Sequence, residues 1–127
     1  MKRKKLWMKM MKSVNIVTYD FRMGYSFDIG ILGAYFEDGN WNLHHIPTGL
    51  ALGRAFSLLR DARIHARRII KINAFDWYST DGNDFNILGA KGRIWMNEVG
   101  NGEITPQQFD VNLMLQKMKS TDKGLVV

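Results

Sequence analysis

Three histidines, His44, His45 and His65, are the side chains of this chain best suited to acid–base or metal chemistry. His44 and His45 are neighbours in a segment that alternates like a β-strand, so their side chains should point to opposite faces of a sheet. Ligands on opposite faces cannot bind one metal ion, and His65 has no acid or second histidine one helical turn further along. We therefore predict structural or solvent-exposed histidines, no metal site and no cofactor.

Two other kinds of segment contain residues that bind ions in some proteins, but their spacing differs from the known motifs. The run Asp81-Gly82-Asn83-Asp84 offers oxygen ligands, yet it lacks the spacing and the final glutamate of a calcium-binding loop. The segments 30–33 and 89–92 begin and end with glycine, but neither continues into the Gly-Lys-Ser/Thr sequence of a phosphate-binding loop. Because the chain has no cysteine, disulfides, thiolate metal sites and cysteine nucleophiles are excluded.

These exclusions favour a protein that binds rather than catalyses. The enzymatic alternative is a small hydrolase that uses His44 or His45 with Asp76 or Asp84. Such a site needs a concave pocket in which the histidine and the carboxylate are within hydrogen-bonding distance of each other. A third alternative, a structural or assembly protein of a virion, would require a large symmetric apolar interface. The sequence does not determine the oligomeric state.

The strongest signal for a binding surface is the helical pattern over residues 57–72. Its apolar positions share one face, which should pack on a sheet: Leu58, Leu59, Ala62, Ala66, Ile69 and Ile70. Its cations recur every three or four residues on the opposite side: Arg60, Arg63, Arg67 and Lys71, with Arg68 beside them. Guanidinium groups suit phosphate recognition, so these five residues are the predicted binding site. The competing interpretation is a solvated face whose arginines pair with Asp76, Asp81 or Asp84.

The net charge of +6 comes from the first twelve residues. They hold six of the eighteen Lys and Arg residues and no acid, so the rest of the chain balances twelve basic against twelve acidic side chains. We predict a flexible basic leader over residues 1–12 and a single domain over residues 13–127. The leader could contact nucleic-acid phosphates or an anionic membrane surface, or it could be a solubilising tail. Met8, Met10 and Met11 are alternative start sites.

Turn and periodicity signals give the remaining elements. Strands are predicted at residues 14–19, 25–36, 41–46 and 93–99, with a short continuation at 50–52. Asp38-Gly39 should close a hairpin between the second and third of these strands, because both residues tolerate a positive φ. Ser57 should cap the first helix, and Thr105-Pro106 should begin a second helix that runs to about residue 119. The predicted fold is α+β, a twisted antiparallel sheet with two helices packed against it. No apolar run is long enough to span a membrane.

A short pattern resembles one found in small domains encoded by bacteriophages and mobile elements. It consists of Trp41, His45, Pro47-Thr48-Gly49, Leu58-Leu59, Ala62 and Asp76-Trp77. Those domains have no agreed activity, and the arginine-rich face is not part of their pattern. The resemblance implies a source in which small proteins often bind and block host machinery, as anti-CRISPR and other anti-defence proteins do. It implies an inhibitor in the host cytoplasm whose partner is a host protein or nucleoprotein complex, with direct nucleic-acid binding as the alternative.

Overall fold

The computed structural model describes the backbone of residues 3–13, 18–27, 30–81 and 89–125, and the side chains within 24–27, 30–52, 54–81 and 89–119. Its strands are β1 (Arg3–Ser13), β2 (Thr18–Phe27), β3 (Leu32–Glu37), β4 (Asn40–His45) and β5 (Leu50–Phe56). They form one antiparallel sheet in the order β1-β2-β3-β4-β5. The helices are α1 (Leu59–Ile69), α2 (Gly89–Gly100) and α3 (Pro106–Leu125). The predicted α+β class is confirmed, with three helices in the described residues where the sequence indicated two.

The β3–β4 hairpin forms where the sequence placed it. Asp38 and Gly39 have φ angles of 55° and 78°, the signs that a type I′ turn requires at both central positions. Glu37 pairs with Asn40 and Phe36 with Trp41 across the hairpin. The turn chemistry therefore fixes the register of these two strands by itself.

The strand predicted at residues 25–36 is two strands rather than one. β2 ends at Phe27 and β3 begins at Leu32, and these two residues pair with each other across a turn. Gly30 adopts a φ of 77° there, and its N–H donates to the carbonyl oxygen of Phe27 at 3.0 Å. Gly30 tolerates this positive φ because it has no side chain, and the chain reverses at this point. Of the strand predicted at 14–19, residues 14–17 lie outside the described residues.

Residues 3–12 are part of the sheet, which corrects the prediction of a flexible leader for them. β1 pairs antiparallel with β2, from Arg3 opposite Phe27 to Ser13 opposite Thr18. It also approaches β5, the other end of the strand order, so the sheet curves. The sequence of β1 has apolar residues next to one another, as in Leu6-Trp7-Met8, and its lysines fall at both odd and even positions, so no period-two pattern marked it as a strand.

The predicted strand at residues 93–99 is also wrong, because this segment lies within α2. The residues of α2 that are buried are Gly92, Met96, Val99 and Gly100. Their spacing of three and four residues is that of a helix packed along one stripe. The alternation that suggested a strand is too short to distinguish the two periods.

Of the two predicted N-terminal capping residues, Ser57 and Thr105, one caps its helix in the structure. At α3 the prediction is confirmed: the N–H of Gln108 donates to the Thr105 hydroxyl oxygen at 3.1 Å, and Pro106 occupies the first helical position. At α1 the N-cap is Leu58, one residue later than Ser57, and no side chain in the described part of the chain caps it. α1 is correspondingly shorter than the predicted 57–72.

The core lies between the sheet and the helices, and α1 is its central element. α1 packs against β3, β4 and β5 and also against α2, and α2 packs against α3. The largest side chains that are fully buried include Leu43, Ile69, Ile72, Phe109 and Leu113. Within the described residues, no helix is long and apolar enough to cross a membrane.

Candidate binding face on helix α1

The inner side of α1 is largely the one that the sequence predicted. Ala62, Ala66 and Ile69 are buried there. Leu58, which the sequence also placed inside, is 52% exposed, because it lies at the N-cap before the helix turns toward the sheet. His65 takes its place on the buried side. The inner stripe thus orients the opposite side of α1 toward solvent.

Three cations form a line on the outer side of α1. Arg60 and Arg67 are exposed, and Lys71 is exposed in the turn that follows the helix. At about 100° per residue these three positions lie within about 40° of one another and opposite the buried stripe. Ile64, which is 38% exposed, lies among them. The predicted basic stripe is therefore present as a geometric feature, with one apolar residue inside it.

The other two predicted site residues lie on the flanks of this line and differ from it. Arg68 is exposed, but its Nη1 donates to the carbonyl oxygen of Gly100 at 3.1 Å, which ties α1 to the C-terminal end of α2. Arg63 is half-buried, where the sequence predicted exposure, and its buried Nε has no hydrogen-bond partner among the described residues. We define the α1 basic face as the three exposed cations of the line, Arg60, Arg67 and Lys71.

Asp61 forms an exposed pair with Arg60 on this side of α1, and it offsets little of the positive charge of Arg60. Asp61 Oδ1 lies 3.9 Å from Arg60 Nε, and both side chains are well exposed to solvent. Exposed pairs of this kind contribute between about 0 and 1 kcal/mol, so Asp61 leaves most of the charge of Arg60 available. Asp76 uses its Oδ1 to accept the N–H of Tyr78 at 3.0 Å, as in an Asx turn. Asp84 lies outside the described residues.

His45 is held in a closed set of hydrogen bonds. Its Nε2 lies 2.6 Å from the carbonyl oxygen of Trp77, and its Nδ1 lies 2.7 Å from the Thr48 hydroxyl. A carbonyl only accepts, so Nε2 carries the proton and Nδ1 accepts from Thr48. The Thr48 oxygen in turn accepts the N–H of Leu50 at 3.2 Å. His45 and Thr48 are both fully buried, and burial lowers the pKa of His45, although its bond to Trp77 and the charge of Asp76 act the other way.

Four of the residues that carry the resemblance, His45, Thr48, Gly49 and Trp77, therefore form one packed unit. Gly49, at a φ of 77°, donates its N–H to the carbonyl oxygen of His45 at 2.8 Å. Trp77 Nε1 donates to the carbonyl oxygen of Ile72 at 2.8 Å. The turn after β4 is thereby fastened to the loop after α1. Stabilising the fold accounts for His45, Thr48, Gly49 and Trp77 without any catalytic role.

His44 and His65 are buried as well, each at a different place. His44 is 4% exposed and stands edge-on to Tyr35, with ring centroids 4.9 Å apart, and burial lowers its pKa to about 4. His65 is 2% exposed beside Phe56, and burial, reinforced by Arg54 and Arg68, lowers its pKa to about 4. Neither Nδ1 has a hydrogen-bond partner in the described part of the chain. None of the three histidines is thus presented to a solvent-facing cleft.

An open cleft of about 320 Å³ lies between α3 and the loop after α1. Its lining residues are Asn73, Ala74, Asp110, Leu113, Met114 and Lys117. Asp110 accepts the backbone N–H of Asn73 at 3.2 Å and that of Ala74 at 2.9 Å. Sequence reasoning did not single out Asp110, because nothing local marks a carboxylate whose partners are more than thirty residues away.

The described residues contain no group of three or more His, Cys, Asp and Glu side chains that could hold a metal ion. No protein-family model, curated protein or solved structure matches this chain. Among the surfaces of the described residues, the α1 basic face combines a defined charge with a defined geometry.

Proposed function

We propose that the protein is a non-enzymatic binding protein whose α1 basic face contacts the phosphates of a nucleic acid or a nucleoprotein complex. The observation that carries this proposal is the line of Arg60, Arg67 and Lys71, which points away from the core along the whole of α1. Buried Ala62, Ala66 and Ile69 fix the rotation of the helix, so the cations remain on the outside.

The dimensions of the face suit a polyanion. Arg60 and Arg67 are about 10 Å apart along the axis of α1, and Lys71 extends the line in the turn that follows the helix. A duplex presents several phosphates over such a length. The exposed pair with Asp61 leaves most of the charge of Arg60 available. A phosphate backbone that contacts these cations releases its own counterions, which is the main source of affinity in such complexes.

Ile64 favours a nucleoprotein partner over naked nucleic acid. It is 38% exposed in the middle of the cations, where it would contact a protein surface while its neighbours contact phosphate. The role that follows from the resemblance is inhibition of host nucleic-acid machinery, of the anti-CRISPR or another anti-defence type, in the host cytoplasm. Direct nucleic-acid binding as an accessory protein is the second candidate, and the line of cations supports it equally.

The test is a salt titration of binding with a matched pair of charge-reversal variants. Labelled duplex and single-stranded probes are followed by fluorescence anisotropy, and a host lysate is used for capture with and without nuclease treatment. Three phosphate contacts predict a slope of log K against log salt of about −3, and Arg60→Glu/Arg67→Glu should reduce its magnitude by about 2. Lys91→Glu/Arg93→Glu changes the same number of exposed charges on α2 and should leave the slope nearly unchanged.

Each outcome separates the candidates. Capture that survives nuclease but depends on Arg60 and Arg67 indicates a protein or nucleoprotein partner, and capture abolished by nuclease indicates direct nucleic-acid binding. Equal binding by the wild type and by the α1 variant removes the α1 basic face from consideration. Turnover of a substrate by the purified protein would overturn the non-enzymatic assignment.

A further inference from the structure

The outer side of α3 carries an apolar stripe with no covering element among the described residues. Its members are Val111, Met114, Leu115 and Met118, which are 42%, 53%, 48% and 52% exposed. They are spaced three, one and three residues apart, so they lie on one side of the helix. The stripe is opposite the side that carries the buried Phe109 and Leu113. α3 is therefore apolar on two sides, and only one of them is used by the core.

We infer that this stripe binds the same stripe of a second copy of the chain, with the two α3 helices antiparallel across a twofold axis near Met114. This inference is independent of the α1 basic face. An axis between residues 114 and 115 sets Val111 level with Met118 of the second copy, and Met114 level with Leu115 of the second copy. The stripe is thus complementary to itself in this orientation, as an isologous interface requires.

The charges beside the stripe select the antiparallel orientation. Asp110 and Lys117 lie on one flank of α3, and Lys119 lies on the other flank together with Asn112. An antiparallel twofold brings like flanks together. Asp110, whose carboxylate also accepts the N–H groups of Asn73 and Ala74, then comes within about 3 Å, along the axis, of the level of Lys117 of the second copy. A parallel pair would instead bring Lys117 beside Lys119 of the second copy. The opposed helix dipoles also favour the antiparallel pair.

The exposed area of the apolar stripe indicates the affinity that we expect for the dimer. With about half of each side chain exposed, the stripe presents roughly 300–400 Å², a typical size for a functional patch. That is about half of the 800 Å² per partner buried in a standard interface, and the polar flanks of a helix pair supply part of the rest. The dimer should therefore be weak, with a dissociation constant in the micromolar range or above.

Sedimentation equilibrium of the full chain over a wide concentration range tests the interface. We expect a reversible monomer–dimer equilibrium that Met114→Lys weakens about tenfold or more, because it buries a charge at the centre of the contact. Ile94→Lys is the matched control, since Ile94 is 58% exposed on α2 and should have no effect on dimerisation. Circular dichroism verifies that both variants are folded. A wild type that stays monomeric, or a dimer indifferent to Met114→Lys, overturns the inference.

Orientation is tested separately by charge reversal and by cross-linking. Lys117→Glu should weaken an antiparallel dimer by about tenfold, because it turns two attractive pairs with Asp110 repulsive. The same change would strengthen a parallel dimer. The chain has no cysteine, so a single introduced thiol is unambiguous. Met114→Cys should form a disulfide between copies and Val111→Cys should not, since its equivalents lie about 10 Å apart along the axis. Efficient cross-linking of Val111→Cys contradicts the antiparallel arrangement.

Discussion

Replacing Thr48 by valine tests whether the hydrogen-bonded unit around His45 stabilises the fold. Valine keeps the shape of threonine but removes the hydroxyl that donates to His45 Nδ1 and accepts from the N–H of Leu50. Both partners then lose a hydrogen bond, one of them on a side chain that is 0% exposed. Because His45 Nε2 is already committed to the carbonyl of Trp77, the ring cannot turn to compensate.

The magnitude follows from the two orphaned groups. A buried group left without a partner costs about 1–3 kcal/mol, with the partly buried N–H of Leu50 at the lower end of that range. The extra methyl group of valine returns about 0.8 kcal/mol. We expect a net loss of about 2 kcal/mol in the free energy of unfolding, which corresponds to a fall in Tm of about 6–10 °C for a chain of this length.

Urea unfolding followed by circular dichroism measures this loss, with a constant m value as the criterion that the two-state description holds. Thr80→Val is the control, since Thr80 is exposed and should tolerate the change within about 0.5 kcal/mol. NMR of the imidazole nitrogens should show the Nε2–H tautomer in the wild type. A Thr48→Val variant as stable as Thr80→Val, or an Nδ1–H tautomer, would refute the proposed direction of these hydrogen bonds.

Three further predictions concern the other buried groups and the helix ends. The pKa values of His44 and His65 are lowered to about 4, so below about pH 6.5 the unfolded chain binds protons that the folded chain does not. The contribution of these two histidines to the free energy of unfolding should therefore be fully present above pH 6.5. Between pH 6.5 and 4 the free energy of unfolding should fall by about 1 kcal/mol per pH unit for each histidine, which urea unfolding at several pH values would measure. Gly100→Ala should destabilise by about 1–3 kcal/mol, because the new Cβ would overlap the His65 ring, and a double-mutant cycle with His65→Ala should recover much of that loss. Thr105→Ala should cost about 1 kcal/mol and Ser57→Ala less than about 0.3, a difference that thermal unfolding resolves and that equal losses would contradict.

The elements that were predicted well are those whose cause lies within a few residues. The Asp38-Gly39 turn needs only two residues that accept a positive φ, and the start of α3 needs only a hydroxyl followed by proline. The inner stripe of α1 and the opposite line of Arg60, Arg67 and Lys71 follow from helical periodicity. These features could be predicted from the amino-acid sequence because they do not depend on residues far away in the chain.

The elements that were missed depend on partners far along the chain. β1 is a strand because it pairs with β2, and the lysines of β1 suggested a flexible segment instead. α2 is a helix whose buried stripe of Gly92, Met96 and Val99 faces neighbouring helices, whereas a seven-residue window of its sequence also fits a strand. Tertiary packing overrode the local preference in both cases.

The candidate sites divide in the same way. The sequence by itself determined that α1 has a cationic side and an apolar side, because a helix places every third and fourth residue together whatever surrounds it. Only the tertiary structure decided that Arg68 contacts Gly100, that Arg63 is half-buried, and that His45 is bonded to Thr48 and Trp77. It likewise left Met114 on α3 53% exposed. Burial and long-range hydrogen bonds are set by which elements meet, and that is decided by the packing of the whole domain rather than by any local pattern.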